Sequence, residues 1–512
     1  MKRFNVTGIC IPSKHYMVDT SSKIQKIVTL INDGSYFVIN RPRQFGKTTT
    51  LFLLENALFD KYLVINVSFE GMGEEAFENI AKLSQEFIFQ LQRALKVIQE
   101  QELLQYIQEQ EFPDTLGKLS LFITNLIIQS QRKVVLIIDE VDKASNHIIF
   151  LNFLGMLRNK FLNRERGEVT FQSVVLAGVH DIKNIKKKLR PDSDSQYNSP
   201  WNIATEFKID MSFSAKEIET MLNQWTIDNE QLAMDMSLIS AELYNYTSGY
   251  PFLVSKICKV IDEDLDRDWS SEGVQKAINI ILESENTLFD DLIKNLENHK
   301  DLYDLVYMIL IEGIRFPYEI YNPLINLGTT FGILTKRNGV TTISNKIFEI
   351  CIYNYMISKS QTKEKSFSKH NHQFLQNGSL NMEQVLNKFQ EIMQDEYRDK
   401  DNKFIEREGR LLFLCFLKPI INGKGFYFVE PETREGSRMD IVLVYEKEEF
   451  IIELKIWHGK KKEEESLEQL YDYLEKKRKE KGYLLVFNFN QNKRYSQEWV
   501  KCRSKDVYKV EV

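Results

Sequence analysis

Four short apolar segments near the start of the chain constrain its fold more than any other feature. They read YFVIN (36–40), YLVINVSF (62–69), VVLIIDEVD (134–142) and TFQSVVLAGVH (170–180), and segments with helical periodicity separate them. Near-continuous apolar strands that alternate with helices are typical of a parallel sheet with helices on both faces. The sequence therefore predicts an α/β fold with a parallel sheet in this part of the chain.

The segment after the first strand resembles a P-loop. Gly46, Lys47 and Thr48 follow the strand and open a helix. In a P-loop, backbone N–H groups surround phosphates, the lysine reaches the outer phosphate oxygens and the hydroxyl holds Mg²⁺. Arg41 stands where the first glycine of the pattern is expected. The match is therefore incomplete, and chance remains an alternative for this segment taken alone.

An acidic pair supports the same interpretation. Asp139 ends the strand VVLIID, and Glu140 follows it. In P-loop ATPases the aspartate supports Mg²⁺, and a following glutamate polarises the attacking water. The alternative is a strand that ends in a solvated acidic turn. Because the pair comes at the expected distance after the P-loop unit, we interpret it as the second half of a nucleotide site.

Four segments together resemble a known family. NRPRQFGKTTTL, LIIDEVDKAS, VVLAGVHDIKNIK and TSGYPFLV are similar to a bacterial AAA-ATPase-like family related to the STAND and archaeal-type ATPases. That family's P-loop also carries Arg-Pro-Arg in place of the first glycine. Over residues 8–360 the resemblance implies an ATP-binding core, a helical lid and a winged-helix-like segment, with ATP and Mg²⁺ as cofactors. The implied contacts with nucleotide or Mg²⁺ are Arg43, Gln44, Phe45, Gly46, Lys47, Thr48, Thr49, Asp139, His180 and Pro251, with Glu140 supporting hydrolysis.

Some of these contacts rest on the resemblance more than on the local pattern. His180 and Asp181 end the strand where related ATPases place a polar sensor. Gly249 and Pro251 match a Gly-x-Pro element that touches nucleotide from the lid, although a helix-terminating turn is an equal alternative. Arg190 could act in trans as an arginine finger, but a basic surface helix is the preferred interpretation.

Near the C-terminus, two charged residues interrupt an apolar strand. In FIIELKIW (450–457), side-chain alternation places Glu453 and Lys455 on one face. The strand RMDIVLVY precedes it, and a tight hairpin centred on Lys447 and Glu448 would place Asp440 opposite Lys455. Glu453 would then lie opposite Val442. Two carboxylates this close repel unless a divalent cation lies between them, whereas the alternative is an ion-paired, solvent-facing hairpin.

The surrounding segments extend this pattern. FIEREGRLLFLCFLKPI places Glu408 on a helix, and ESLEQLYDYLEKK places Gln469 at the start of a QxxxY spacing. The order of Glu, Asp, ExK and QxxxY resembles the RecB-like branch of the PD-(D/E)XK nuclease superfamily, over residues 383–495. The resemblance implies a metal-dependent phosphodiesterase with an α/β restriction-endonuclease-like fold.

The nuclease resemblance also implies a role for each residue. Asp440 and Glu453 would bind Mg²⁺ and Lys455 would assist catalysis, while Glu408 and Gln469 would complete the pocket. For the first motif carboxylate, Glu406 competes with Glu408, because the sequence does not fix the helix phase. Glu430 is a third candidate, since it lies on the predicted strand FYFVEPE.

The predicted organisation has five segments. These are a P-loop AAA-like ATPase core (1–225), a helical lid (226–290), a winged-helix-like segment (291–360), a polar linker (361–380) and a PD-(D/E)XK nuclease-like domain (381–512). The winged-helix prediction rests on two short strands around an Asn-Gly turn before a helix. The linker prediction rests on a polar stretch with hardly any apolar residues.

Composition excludes several classes of protein. The chain is 43% hydrophobic and 27% charged, which is ordinary for a soluble globular protein. No apolar run reaches the length of a membrane span. Its five cysteines are scattered, which favours a reducing cytoplasm and argues against structural zinc. The net charge of −6 gives no global field that favours nucleic acid.

Together these patterns predict an ATP-binding and ATP-hydrolysing protein coupled to metal-dependent phosphodiester cleavage. The predicted partners are ATP and nucleic acid, with DNA preferred and no membrane, and a homo-oligomer remains open. The combination resembles proteins suspected in defence against mobile DNA. The alternative is an ATP-switched signalling or nucleic-acid-binding module whose C-terminal domain does not cleave.

Overall fold

The computed structural model divides the chain into two compact units. Unit 1 comprises Met1–Tyr244, Ser248–Lys259 and Thr330–Gly332, and unit 2 comprises Asn245–Thr247, Val260–Thr329 and Ile333–Val512. The residues that the structure describes are 2–179, 201–229, 235–311, 314–361, 374–376, 379–396, 402–421, 425–431, 439–445, 448–457, 459–488 and 495–512.

Unit 1 is built on a parallel four-stranded sheet. Its strands are β1 (Phe37–Asn40), β2 (Leu63–Ser68), β3 (Val134–Asp139) and β4 (Ser173–Gly178). The order is β1-β4-β3-β2, and every neighbouring pair is parallel. All residues of the central strands β3 and β4 are buried, as expected for strands covered on both faces. The predicted α/β fold with a parallel sheet is therefore confirmed.

Helices cover both faces of this sheet. The helices that pack on it are α1 (Ser21–Asn32), α2 (Lys47–Leu58), α3 (Ile80–Val97), α4 (Gln101–Gln108), α5 (Leu116–Gln129) and α6 (Ile148–Asn163). Further along the chain follow α7 (Ala215–Asn229), α8 (Met236–Thr247) and α9 (Pro251–Asp264). On one face, Ile27 of α1 and Leu54 of α2 pack with Phe37. On the other face, side chains of α3, α5 and α6 pack with Val38. Successive side chains of β1 thus pack into two different apolar cores. The C-terminal end of the strand, where the P-loop begins, is therefore held rigidly from both faces.

The part of unit 2 that precedes the predicted polar linker (361–380) is mainly helical. It contains α10 (Ser271–Glu283), α11 (Thr287–Asn298), α12 (Lys300–Leu310), α13 (Pro323–Thr330), β5 (Leu334–Arg337), β6 (Val340–Ile343) and α14 (Lys346–Gln361). The two strands form an antiparallel hairpin in which Arg337 pairs with Val340. Asn338 and Gly339 both have positive φ, as a two-residue type I′ turn requires. The hairpin predicted around Asn-Gly is thus confirmed.

A six-stranded mixed sheet forms the C-terminal part of unit 2. The elements are β7 (Leu375–Gln376), β8 (Ser379–Leu380), α15 (Met382–Glu396), α16 (Asn402–Ile421), β9 (Gly425–Pro431), β10 (Met439–Tyr445), β11 (Glu448–Ile456), α17 (Lys460–Lys477), β12 (Lys481–Phe487), β13 (Gln497–Cys502) and β14 (Lys505–Glu511). The sheet order is β13-β14-β12-β11-β10-β9. Strands β9, β10 and β11 are antiparallel neighbours, and β12 runs parallel to β11.

Across the described ranges, no helix combines the length and apolar character needed to cross a membrane.

Candidate functional site

The loop between β1 and α2 is shaped to bind an anion. Gln44 and Gly46 adopt positive φ values of 56° and 77°, and Gly46 caps the N-terminus of α2. Backbone N–H groups in such a turn point into a common concavity, and the helix N-terminus adds a favourable dipole. The local conformation therefore matches the predicted P-loop.

Lys47 is a buried cation at the first position of α2. Its side chain is 8% exposed, and its Nζ donates to the carbonyl oxygens of Arg41 at 3.0 Å and Pro42 at 3.1 Å. Burial lowers the pKa of Lys47, while the carboxylates of Glu140, Asp142 and Asp139 oppose that shift. The ammonium group thus lies in an acidic surrounding at the base of the loop.

Thr48 and Asp139 form the adjacent pair of oxygen groups. The Thr48 side chain hydrogen-bonds to the Asp139 carboxylate, and burial raises the pKa of Asp139, which is 7% exposed. The Glu140 backbone N–H also donates to Asp139 Oδ1, at 2.9 Å. A hydroxyl and a carboxylate are oxygen ligands that Mg²⁺ prefers. The donor set therefore fits the metal that the sequence predicts here.

Glu140 follows in a left-handed conformation, with φ of 54°. Burial and the neighbouring Asp139 carboxylate raise its pKa. The sequence reasoning missed Asp142, whose Oδ2 accepts from the Val179 N–H at 2.6 Å. Asp142 thereby ties the turn after β3 to the end of β4. The predicted sensor His180, together with Asp181 and Arg190, lies outside the described residues.

Arg41 occupies the position of the missing glycine without filling the loop. Its guanidinium donates to the Ile209 carbonyl at 2.5 Å and lies over the Phe207 ring, 5.3 Å from the centroid. The side chain is thus engaged with the segment that contains Phe207 and Ile209. At the other side of the loop, the Thr49 hydroxyl accepts from the Cys10 N–H at 3.1 Å, whereas the Arg43 side chain is exposed.

The Gly-x-Pro element lies against the P-loop. A Cβ built on Gly46 would lie 3.9 Å from the Pro251 Cβ. The Tyr250 ring meets the Phe45 ring edge-on, with centroids 4.8 Å apart. Pro251 also opens α9, so the element both starts a helix and contacts the loop. Sequence spacing could not separate these two interpretations.

Gly249 lies against the backbone of Phe213, and replacing it with alanine is expected to destabilise unit 1. Its φ is +73°, and an added Cβ would lie 1.9 Å from the Phe213 carbonyl oxygen. We expect Gly249→Ala to lower stability by about 2 kcal/mol or more, measured as a drop in the thermal unfolding midpoint. The control is Gly117→Ala, since nothing lies within 4 Å of its Cβ position. Equal midpoints for the two variants would contradict this expectation.

The second candidate site lies on the sheet of unit 2, and its register differs from the predicted one. The Cα partner of Asp440 on β11 is Glu453, and Val442 pairs with Ile451. The prediction that Asp440 lies opposite Lys455 and Glu453 opposite Val442 is therefore wrong by two residues. Since a shift of two residues preserves the faces of a strand, the positions still share one face.

Three acidic positions form a row across neighbouring strands. Asp440 on β10 pairs with Glu430 on β9 as well as with Glu453 on β11. The Glu453 side chain is 1% exposed, and it shares a strand face with Ile451, which packs with Leu470 of α17. The solvent-facing hairpin is thereby excluded for Glu453. The side chains of Asp440 and Glu430 are outside what the structure describes.

Lys455 lies two residues further along the same face. It lines a cavity of about 10 Å³ together with Trp457, Glu463 and Ser466, and Glu463 pairs with Lys509. Gln469 lies on α17 with an exposed side chain and does not line this cavity. No group of three His, Cys, Asp or Glu residues suited to a metal occurs among the described residues.

The remaining predicted carboxylates lie on α16. Glu408 and its competitor Glu406 both fall within Asn402–Ile421, and their side chains lie outside the described part of the chain. Both residues lie on a helix, as predicted. Their contacts in a nuclease site stay a prediction.

Comparison with known proteins identifies similarity over the first part of the chain. Residues 6–312, more than half of the chain, match a family model described as an AAA-like domain. An uncharacterized WD repeat-containing protein of Synechocystis sp. is 21% identical over 383 residues, which is 70% of this chain. The chain spans only 31% of that relative's length.

Solved structures also align with the chain. A Walker-type ATPase of Pyrococcus abyssi is 10% identical, with a TM-score of 0.47, over 68% of this chain and 99% of that one. The ORC2 protein of Aeropyrum pernix, in ADPNP–ADP complexes, is 12% identical, with a TM-score of 0.35, over 69% of this chain and 98% of that one.

Proposed function

Because the chain belongs to the AAA-like domain family, we propose that unit 1 binds ATP with Mg²⁺ and hydrolyses it. The observation that carries this proposal is the convergence of Lys47, Thr48, Asp139 and Glu140 at the P-loop, with Thr48 bonded to Asp139 and Lys47 surrounded by carboxylates. In this proposal the four side chains supply a phosphate-binding cation, two oxygen ligands for the metal and a base.

Each side chain has a role in this proposal. Lys47 binds the outer phosphate oxygens, and Thr48 with Asp139 holds Mg²⁺, which when bound neutralises charge that develops on the phosphates. Glu140 accepts a hydrogen bond from the attacking water and orients it toward the γ-phosphorus. The loop N–H groups around Gln44 and Gly46 contribute hydrogen bonds to the phosphates.

Glu140 provides the direct test, since its role requires an ionised carboxylate. Its pKa is raised from 4.5 by burial and by Asp139. As pH falls through this raised pKa the carboxylate is protonated, so ATP turnover is expected to decline at a pH above 4.5. The measurement is the dependence of kcat on pH, with saturating ATP. Glu140→Gln is expected to lower kcat by about 100-fold or more while ATP still binds.

Two results would contradict this role for Glu140. One is a kcat that stays constant down to pH 4.5, the ordinary pKa of glutamate. The other is a Glu140→Gln variant that retains wild-type turnover. The control variant is Glu78→Gln, because Glu78 is exposed and pairs with Lys82 on the protein surface.

We further propose that the C-terminal sheet of unit 2 cleaves phosphodiester bonds in nucleic acid, with DNA preferred. Glu453 carries this proposal, because it is buried and faces a second acidic position, and carboxylates brought close together repel unless a cation lies between them. Its register partners Asp440 and Glu430 supply further carboxylate positions in the same row. In this proposal Asp440 and Glu453 hold Mg²⁺, and Lys455 stabilises negative charge that develops on the phosphate.

The two proposed activities give a combined function in which ATP gates cleavage, in keeping with a role in defence against mobile DNA. The five predicted segments, the cytoplasmic location and a homo-oligomer are parts of the same proposal. The rival is a nucleic-acid-binding module that does not cleave, and the exposed Gln469 favours it. Incubating the purified protein with plasmid DNA and Mg²⁺, with and without ATP, separates the two.

A further inference from the structure

Tyr250 is a buried residue that contacts the P-loop through both its hydroxyl and its ring. It is 4% exposed. Its hydroxyl donates to the Arg43 carbonyl oxygen at 2.5 Å, and its ring meets Phe45 at an interplanar angle of 77°. These two contacts involve successive parts of the loop, although Tyr250 is separated from Arg43 by 207 positions in the sequence.

The hydrogen bond acts on one particular peptide unit. The Arg43 carbonyl and the Gln44 N–H belong to the same planar trans peptide, so the two groups point in opposite directions. Holding the carbonyl oxygen toward Tyr250 therefore directs the Gln44 N–H away from Tyr250. Gln44 also has a positive φ of 56°, a conformation that a non-glycine residue adopts at some cost unless its surroundings hold it there.

Neighbouring contacts keep Tyr250 itself in place. The Phe213 N–H donates to the Gly249 carbonyl at 2.8 Å, and the Val254 N–H donates to the Tyr250 carbonyl at 3.0 Å. A Cβ on Gly332 would lie 2.6 Å from Pro42 and 4.0 Å from the Tyr250 ring. The P-loop is thus packed against two segments that come from later parts of the chain.

We propose that Tyr250 is a positioning residue of the nucleotide site, which orients the Arg43–Gln44 peptide so that the Gln44 N–H faces the phosphates. The inference rests on the proposed ATP-binding function. Tyr250 acts through the loop backbone and not by touching the reacting atoms. Its hydroxyl is the group that matters, because the ring packing persists in phenylalanine.

The test compares Tyr250→Phe with Tyr244→Phe and the wild type in the full chain. Tyr244 lies on α8 with an exposed side chain and serves as the matched control. We expect Tyr250→Phe to weaken ATP binding by about three- to tenfold, the usual range for one lost hydrogen bond. Because the lost interaction acts on bound substrate and transition state alike, KM should rise by the same factor while kcat stays unchanged.

Two further measurements distinguish positioning from a structural role. Binding of AMP should change less than binding of ATP, since the effect is directed at the outer phosphates. The thermal unfolding midpoint without nucleotide should lie only a few degrees below that of Tyr244→Phe, about the cost of one lost buried hydrogen bond. Equal ATP affinities in both variants, or parallel losses of midpoint and kcat, would overturn the inference while leaving the ATP site standing. A wild-type protein that binds no ATP would remove the proposed function and the inference together.

Discussion

Replacing Lys47 with alanine is expected to lower kcat/KM for ATP hydrolysis by about 100-fold or more. The ammonium group is buried beside three carboxylates, so its removal leaves their negative charge uncompensated where the phosphates would bind. ATP affinity should fall together with turnover. The measurements are titration of ATP by calorimetry and steady-state hydrolysis with Mg²⁺.

The matched control for this variant is Lys61→Ala. Lys61 is an exposed cation just after α2, and its Nζ contacts Asn32 Oδ1 at 2.7 Å. The Lys61→Ala variant tests whether loss of one positive charge near the same helix is sufficient to reduce ATP binding. Wild-type ATP affinity in Lys47→Ala would show that the loop is not a nucleotide site, and the proposal for unit 1 would then be wrong.

Replacing Glu453 with glutamine is expected to lower Mg²⁺-dependent cleavage of DNA by about 100-fold or more. The substitution keeps the shape of the side chain and removes the charge that the proposed metal requires. The carboxylate that it removes is 1% exposed, so folding must be measured together with cleavage. Cleavage is measured on plasmid DNA, and folding is measured by the unfolding midpoint.

Glu449→Gln provides the control on the same strand. Glu449 lies four residues earlier on the same face, partly exposed and paired with Lys479 at 3.3 Å. Cleavage by Glu449→Gln should equal that of the wild type. If the Glu453 variant cuts DNA as fast as the wild type, the acidic row has no catalytic role. The non-cleaving alternative would gain support if the wild type itself fails to cut DNA in the presence of Mg²⁺ and ATP.

Unit 1 and unit 2 differ in how much of their structure could be predicted from the sequence. In unit 1, the P-loop, the acidic strand end and the parallel sheet all followed from local patterns, because each depends on a strand, a turn or a helix start that neighbouring residues specify. The contact of Tyr250 with Arg43 joins distant segments, and no local pattern indicated it. Asp142 was missed for the same reason, since its partner Val179 lies on another strand end.

In unit 2, the sequence predicted the strands and their charged face but not their register. Alternation has a period of two, so pairing Asp440 with Lys455 or with Glu453 leaves the same side chains on the same face. The choice between them depends on the hairpin geometry, which the residues between the strands did not reveal.

The amino-acid sequence by itself determined which segments are strands and helices, which strand ends carry polar groups and where the phosphate-binding loop begins. Apolar periodicity and turn chemistry act over a few residues, so these features can be read directly. Only the tertiary structure decided that Glu453 is buried, that Gly249 packs on Phe213 and that Tyr250 contacts the P-loop at Arg43 and Phe45. Those outcomes depend on which segments, far apart in the sequence, pack against one another and exclude water. Such packing is set by the whole folded chain and not by neighbouring residues.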